Sequence, residues 1–437
     1  TDKYETKTSS ELDNKFVFPD MCEQKVIINV GSVGQPRDRD NRSCYVVVDG
    51  DTVTWRRVEY DVDKVVARME QIAQLDGEEK AAAIATMADL KKTAAATQTA
   101  IDELQPQFDA LMMLVPAPAA AEVPLGKDDT ENAEMRTLGE IPTFDFEPKD
   151  HVELGETLDI IDIPRGVKIA GSRNYILKGA GAMLHQAVLR LASDLLIQRG
   201  YELLTVPVLV KEEVMRGTGY FPLGRDQAYL AERDNKALVG TAEVPVTAYY
   251  SGETLAEADL PKKFVAMSTC FRREAGAAGK DTHGLYRIHS FDKVEQVVLC
   301  KNCEETSKQF HAEILQNSED VMAALELPYR VVNVCTGDLG QGQIQKFDIE
   351  TWMPSRKSYG ETHSASRFYD FQTRRLNIRY KDADGKMHFA HSLNNTVAAS
   401  PRILIPIIEM NQNADGSVNV PAALQPYMNG ITKIEAK

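Results

Sequence analysis

Two segments that contain arginine carry the residue types that a phosphate-binding site needs. The first covers residues 271–276 (FRREAG) and returns through residues 284–296 (GLYRIHSFDKVEQ). The second, residues 393–402 (LNNTVAASPR), runs into an apolar stretch that ends at Glu409. An arginine at the end of a strand can hold a phosphate with two parallel hydrogen bonds while an aromatic ring stacks on a base. These segments therefore predict a nucleotide-binding site.

The sequence around the two arginine segments predicts one mixed domain. A 3.6-residue apolar period predicts a helix over residues 181–199, and a second long helix is predicted over residues 304–325. Short apolar runs between long loops predict a largely antiparallel sheet, so the predicted fold class is α+β. The predicted strands cover residues 203–210, 264–270, 294–300, 329–334, 347–352 and 376–380.

The composition of the 437-residue chain excludes several classes of protein. Its 65 acidic and 50 basic residues give a formal charge of −15, which argues against a nonspecific nucleic-acid coat or a binder of anionic membranes. Six cysteines are too few for a disulfide framework, and no apolar run is long enough to cross a membrane, so we expect a cytoplasmic protein. Cys300 and Cys303 have the spacing of metal ligands, but a single pair is a weak signal, and we predict free thiols and no zinc site.

The composition also changes along the chain, and these changes predict five parts. In the first 115 residues, β-type runs are followed by an Ala-rich segment with the 4-3 apolar spacing of a coiled-coil helix. Pro106 is expected to kink this helix. The β-type runs cover residues 26–30, 44–50 and 53–60, and the coiled-coil positions are Leu90, Ala94, Thr97, Ile101, Leu104, Phe108 and Leu111. The five parts are a β fragment (1–75), an amphipathic helix (78–115), a linker (116–150), a mixed domain that contains both arginine segments (151–430) and a frayed tail (431–437).

The two arginine segments resemble motifs 2 and 3 of class II aminoacyl-tRNA synthetases, and their details resemble the seryl-tRNA synthetase family. Motif 2 of that family has the pattern F-R-x-E-A-G, then G-L-x-R-x-H-x-F and K-V-E-Q, and this chain has every fixed position. The helix at Gly181 with Val206 and Pro207 resembles motif 1, the dimer-forming element. Further blocks of that family stand in order as GTGYFP (217–222), GTAEV (240–244), TGD (336–338), DIE (348–350), ETHS (361–364) and ADG (414–416). The resemblance spans residues 78–430 and implies an antiparallel class II sheet flanked by helices.

The resemblance also implies roles for particular residues. Arg272 would hold the α-phosphate of ATP and the serine carboxylate, and Arg402 would hold the terminal phosphate of a bent ATP. Glu361 would bind Mg²⁺ through ATP, which makes Arg272, Glu361 and Arg402 the implied catalytic residues. The implied ATP-binding residues are Arg272, Arg273, Glu274, Ile288, His289, Ser290, Phe291, Glu361, Thr362, His363, Ser364 and Arg402. The implied serine-binding residues are Thr241, Ala242, Glu243, Arg272, Glu295, Asn394 and Thr396.

The activity that the resemblance implies is the ligation of L-serine to the 3′ end of tRNA(Ser), with ATP and Mg²⁺ as cofactors. The implied partners are L-serine, the acceptor end and variable arm of tRNA(Ser), and a second copy of the chain in a homodimer. Two other functions stay open: a serine-activating paralogue that loads a non-tRNA carrier, and a scaffold that charges nothing. The phosphate-clamping arginines disfavour the scaffold, because it has no need of them.

The N-terminal part departs from the pattern of this family. Residues 25–75 instead resemble the C-terminal end of calcineurin-like metallophosphoesterases, through NVGSVGQPRD (29–38), SCY (43–45) and RVEYD (57–61). Such enzymes need metal ligands from several loops, and this segment does not supply them, so we expect no phosphoesterase activity. Seryl-tRNA synthetases carry an arm of two long helices that reaches the tRNA variable arm, and only the second is recognisable here. The resemblance therefore implies a weakened contact with that arm, whether the segment is a natural fusion, a mis-assembled gene or an artificial fusion.

Overall fold

The computed structural model describes residues 15–17, 43–49, 52–58, 77–276, 279, 281 and 283–436. The chain divides into two compact units, Thr1–Met112 and Met113–Lys437, which we describe separately. Across the described ranges, no helix has both the length and the apolar character needed to cross a membrane.

The first unit contains a small antiparallel sheet in which β3 lies between β1 and β2. Two of its strands confirm the β-type runs predicted at 44–50 and 53–60, while the run predicted at 26–30 lies outside the described residues. The strands are β1 (Lys15–Val17), β2 (Ser43–Asp49) and β3 (Thr52–Val58).

A 35-residue helix, α1 (Glu78–Met112), completes the described part of this unit. Glu78 and Glu79 lie in its first turn, where acidic side chains complement the helix dipole. Pro106 lies inside the helix and does not end it. The predicted coiled-coil positions remain largely in solvent, since Leu90 is 62% exposed and Leu111 is 65% exposed, and no residue of the helix is buried among the described residues. Helix α1 therefore has an apolar face that no described residue covers.

The second unit is built around an eight-stranded sheet with the spatial order β4-β14-β15-β16-β19-β13-β12-β7. All neighbouring pairs are antiparallel except β7 with β12, which confirms the predicted α+β class. The strands of this unit are β4 (Ala133–Leu138), β5 (Ile161–Asp162), β6 (Ile176–Leu177), β7 (Glu202–Leu204), β8 (Leu209–Lys211), β9 (Leu230–Ala231), β10 (Lys236–Leu238), β11 (Thr254–Ala256), β12 (Lys262–Phe271), β13 (Ser290–Cys300), β14 (Tyr329–Asn333), β15 (Gln345–Met353), β16 (Ser358–Arg367), β17 (Arg379–Lys381), β18 (Met387–Phe389), β19 (His391–Ser400), β20 (Val418–Asn419) and β21 (Lys433–Ile434).

Two long helices cover one face of this sheet and confirm the helices predicted at 181–199 and 304–325. Their apolar stripes, which include Leu184, Val188 and Ile314, are buried in the main core against β13 and β19. The helices of this unit are α2 (His151–Thr157), α3 (Ile163–Ala170), α4 (Ala180–Gln198), α5 (Glu212–Gly217), α6 (Glu243–Thr247), α7 (Glu304–Ala324), α8 (Phe371–Arg375) and α9 (Leu404–Met410).

Two expectations about the ends of the catalytic domain differ from the structure. Residues 116–150, predicted as a linker, contain β4, which pairs with β14 and forms one edge of the main sheet. The tail 431–437, predicted to be frayed, contains β21, which pairs with β20. Backbone hydrogen bonds to β14 order β4, and β21 is ordered by its pairing with β20 and by the buried side chain of Ile434.

Candidate active site

The middle strands of the sheet form one wall of a cavity, which we call the central pocket. Strand β13 contributes Phe291 and Glu295, β16 contributes Glu361, and β19 contributes Thr396. Because these strands are neighbours in the sheet, residues far apart in sequence meet here. The predicted residues that line the pocket are Glu243, Arg272, Glu274, Ile288, Phe291, Glu295, Glu361, Thr362, Ser364, Asn394, Thr396 and Arg402.

One end of the pocket combines a cation, an aromatic ring and an anchored carboxylate. The Arg272 guanidinium lies 5.2 Å from the centre of the Phe291 ring. Glu274 follows in the left-handed region with a φ of 50°, and Arg287 Nη1 donates to its carboxylate at 2.8 Å. A flat ring beside an arginine and a fixed carboxylate suits a base that carries a phosphate.

A second arginine, Arg402, is fixed by two backbone carbonyls. Its Nε donates to the oxygen of Tyr286 at 3.1 Å, and its Nη1 donates to the oxygen of Glu361 at 3.0 Å. Its guanidinium also lies 4.4 Å from the centre of the Tyr286 ring, and Arg356 lies 4.2 Å from the same centre. The plane of Arg402 is therefore held before any ligand arrives, as a phosphate-binding arginine requires.

Acidic side chains and a lysine lie on the neighbouring strands β15 and β16. Enclosure by the pocket walls would raise the pKa of Glu361, but the charges of Arg402 and Lys346 outweigh it and lower that pKa. Lys346 Nζ also lies 3.1 Å from Asp348 Oδ2, and burial raises the pKa of Asp348. Glu361 thus presents an ionised carboxylate to the pocket, and Ser364 lines the pocket beside it.

Another part of the pocket is lined by two buried carboxylates, Glu243 and Glu295. Tyr220 and Gln372 each donate a 2.7 Å hydrogen bond to Glu243. Burial and the charge of Glu295 together raise the pKa of Glu243 to about 7. Lys293 contacts Glu295 and is itself buried. A site with two carboxylates beside one lysine attracts a further cation.

Six predicted residues do not line the central pocket. Thr241 and Ala242 are buried just before α6, and Arg273 is exposed and donates to the oxygen of Asp226 at 3.2 Å. His289 and Ser290 line a second, shallower cavity. His363 is buried beside Thr362, and burial lowers its pKa to about 4.

Cys300 and Cys303 lie at the end of β13 and at the start of α7. Both are free thiols, and Cys303 Sγ donates to Glu305 at 3.1 Å. Burial raises the pKa of Cys300 to about 12. Among the described residues, no group of three or more His, Cys, Asp or Glu side chains is placed to hold a metal ion.

Several side chains of the site were not assigned a role by the sequence, among them Lys293, Tyr220, Tyr286 and Gln372. The first three stand inside blocks that the resemblance used, so the signal was present without a role attached. Gln372 lies in α8, outside every such block, and only the fold brings it to Glu243.

Comparison with known proteins identifies the class of this fold. The sequence profile of the tRNA synthetase class II core domain (G, H, P, S and T) matches residues 229–411. A solved structure of seryl-tRNA synthetase from Pyrococcus horikoshii complexed with ATP has a TM-score of 0.81 and 35% identity, and the match covers 86% of this chain and 88% of that one. The cytoplasmic serine–tRNA ligase of Naegleria fowleri in complex with AMP has a TM-score of 0.73 and 32% identity, over 78% of this chain and 74% of that one. The fold is that of a class II aminoacyl-tRNA synthetase.

The sequence relatives identify the family within this class. The chain is 44% identical to the serine–tRNA ligase of Deinococcus radiodurans over 86% of this chain and 88% of that protein. It is 48% identical to the serine–tRNA ligase of Corynebacterium kroppenstedtii over 67% and 69% of the two chains. The chain belongs to the seryl-tRNA synthetase family, as its motifs predicted. These relatives give no support to the metallophosphoesterase resemblance of residues 25–75.

Proposed function

We propose that the protein activates L-serine with ATP and transfers the seryl group to the 3′ end of tRNA(Ser). The observation that supports this proposal is the central pocket, which Arg272 and Arg402 line together with the carboxylates of Glu243 and Glu295. We assign the two arginines to a nucleotide end of the pocket and the two carboxylates to an amino-acid end. The family relatives, which are named as serine–tRNA ligases, support the same activity.

The first step is an in-line displacement at the α-phosphorus of ATP. A serine carboxylate oxygen forms the new bond to phosphorus, the bond to the bridging oxygen breaks, and pyrophosphate leaves with that electron pair. Arg272 neutralises the α-phosphate and the attacking carboxylate, while Arg402 holds the terminal phosphate. Phe291 stacks on adenine, and Glu274 contacts the adenine edge. Neither reactant has to lose a proton, so positioning and charge neutralisation supply most of the catalysis.

Magnesium fits this site as a partner of ATP. Glu361 offers an ionised carboxylate and Ser364 a hydroxyl, and Mg²⁺ commonly binds one or two such oxygens together with substrate phosphates and water. When bound, it would neutralise charge on the phosphates. The charge of Lys346, which lies 3.1 Å from Asp348 Oδ2, favours the ionised form of both Asp348 and Glu361.

The amino-acid end explains a preference for serine. The ammonium group of the substrate would lie against Glu295 and Glu243, and its hydroxyl would meet Glu295, Thr396 and Asn394. The Asn394 Nδ2 atom is buried and has no hydrogen-bond partner among the described residues, so a ligand that offers an acceptor would be favoured there.

The transfer step requires tRNA, and α1 is the element that would approach its variable arm. All residues assigned to ATP and serine lie in the second unit, so activation does not depend on α1. Because the apolar face of α1 is exposed, we infer that tRNA is positioned less well than by a two-helix arm.

We also infer a cytoplasmic homodimer. Strand β7 lies at the free edge of the main sheet, and Leu203, Met267 and Tyr249 near it are 50%, 47% and 55% exposed. Exposed apolar side chains at a sheet edge favour pairing with a second copy about a twofold axis.

Serine-dependent exchange of pyrophosphate into ATP, followed by charging of purified tRNA, tests the function. We expect exchange with serine and not with the other standard amino acids. Exchange without charging would favour the carrier-loading alternative, and no exchange with any amino acid would refute the enzymatic proposal.

A further inference from the structure

One buried lysine joins three residues of the amino-acid end. The Lys293 side chain is 6% exposed and lies against Glu295 Oε2. Its Nζ donates to Thr241 Oγ1 at 2.7 Å and to Thr396 Oγ1 at 3.2 Å. An ammonium group has three protons, and these three acceptors account for all of them. Lys293 therefore lines the pocket but has no proton left for a ligand.

The lysine also determines whether the neighbouring hydroxyl groups donate or accept their hydrogen bonds. Thr396 Oγ1 accepts from Lys293, and its own proton goes to Glu295 Oε2 at 3.3 Å. Thr241 Oγ1 accepts from Lys293 and from the backbone N–H of Glu243 at 3.2 Å. With Lys293 in place, Glu295 and Thr396 offer oxygen acceptors to the pocket. A ligand at this point must bring donors, namely an ammonium and a hydroxyl.

The charges of the pocket also favour a ligand that brings an ammonium group. Glu243 and Glu295 are both buried, and Lys293 is the cation that touches one of them. When both carboxylates are ionised, one negative charge stays unmatched until an ammonium enters. Removal of the lysine would leave two buried carboxylates without a counter-charge, and such a pair relaxes or binds water.

We propose that Lys293 is a specificity-determining residue: it positions Glu295 and Thr396 as acceptors for a β-hydroxy amino acid and does not touch that amino acid itself. The inference rests on the proposed function and adds a residue to which neither the motif resemblance nor the relatives assign a role. A pocket built on hydrogen bonds to a hydroxyl rejects an analogue without it, because the polar groups are then left unpaired. If Lys293 orients those groups, its loss should weaken the discrimination between serine and alanine.

The test compares Lys293→Met with wild type in pyrophosphate exchange with serine, alanine, cysteine and threonine. We expect the serine KM to rise about 10- to 100-fold, the ATP KM to change less than about threefold, and the serine-to-alanine ratio of kcat/KM to fall at least about tenfold. The matched control is Lys263→Met on the neighbouring strand β12, where Lys263 pairs with Glu313 at 2.6 Å outside the pocket. This control should keep wild-type constants and selectivity.

Lys293→Gln serves as the second variant. Its amide N–H groups can still donate to some of the three acceptors that Lys293 bonds, so the loss of selectivity should be intermediate. If Lys293→Met does not fold, as judged by circular dichroism, Lys293→Gln decides the question. An unchanged serine-to-alanine ratio of kcat/KM in the folded variant, or equal rises in the KM of ATP and serine, would overturn the proposal. Lys293 would then have only a structural role. Absence of serine-dependent exchange in wild type would instead refute the proposed function.

Discussion

Arg402 is the residue whose replacement tests the nucleotide end most directly. In Arg402→Ala the guanidinium is lost, and with it the two bonds to the backbone oxygens of Tyr286 and Glu361 that hold it in plane. The carbonyls use two of the five guanidinium N–H groups, which leaves enough for two hydrogen bonds to a phosphate. Each hydrogen bond from a charged group contributes about 1.5 to 3 kcal/mol, so two bonds to phosphate are worth about 3 to 6 kcal/mol. We therefore expect kcat/KM for ATP in pyrophosphate exchange to fall by roughly 10² to 10⁴.

Arg402→Lys separates charge from shape. A lysine keeps the positive charge but cannot bond to both carbonyls and a phosphate in one plane. In Arg402→Lys, kcat/KM for ATP should therefore fall less than in Arg402→Ala but still measurably. Arg374→Ala is the matched control, because Arg374 is 53% exposed and forms only a 3.4 Å surface ion pair with Asp370. The serine KM should change little in all three variants. Wild-type exchange in Arg402→Ala would refute the assignment of Arg402 to phosphate binding.

Five further outcomes are expected. Arg272→Ala should abolish measurable exchange, since Arg272 would contact both reacting groups, and retained exchange would contradict this. Because burial raises the pKa of Glu243 to about 7, serine affinity should increase as the pH rises through about 7, and Glu243→Gln should flatten that profile. The same raised pKa means that the folded protein binds more protons than the unfolded chain between the usual carboxyl pKa and about 7, so unfolding free energy should fall across this window in wild type and less in Glu243→Gln. Sedimentation should give twice the 48.5 kDa chain mass, and Leu203→Asp should shift it towards monomer. Aminoacylation should show a raised tRNA KM beside normal exchange, and a family-type first helix in place of residues 1–75 should lower that KM; full charging by the unaltered chain would contradict this.

The sequence predicted the nucleotide end better than the walls of the amino-acid end. Arg272 and Arg402 stand in dense motifs, and the structure brings both to one pocket. Lys293 stands within motif 2, but a lysine in a strand more often points to solvent, and only the fold shows that this one is buried. Tyr220 and Gln372 reach Glu243 from separate segments, and no local pattern connects them.

The fold was predictable where apolar periodicity was strong. Helix α4 was predicted within two residues, since its buried stripe repeats regularly. Strand β4 was missed because only its first four residues alternate between apolar and polar, and all six of its residues are exposed, so no buried apolar face marks it. Its order comes from pairing with β14, which lies about 190 residues further along the chain. Pairing of that kind leaves no trace in the local sequence.

The order of strands in the main sheet has a consequence for how the protein is made. Strand β13 needs β19 as its neighbour, and Lys293 pairs with Ala399, so the pocket cannot form on a growing chain until residue 402 has left the ribosome. Until then β13 has an open edge, and closing a loop of this length is slow because few local contacts repay its entropy. We expect nascent chains to bind ATP only after nearly complete synthesis. Before that, the exposed edge of β13 must be protected from pairing with a strand other than β19.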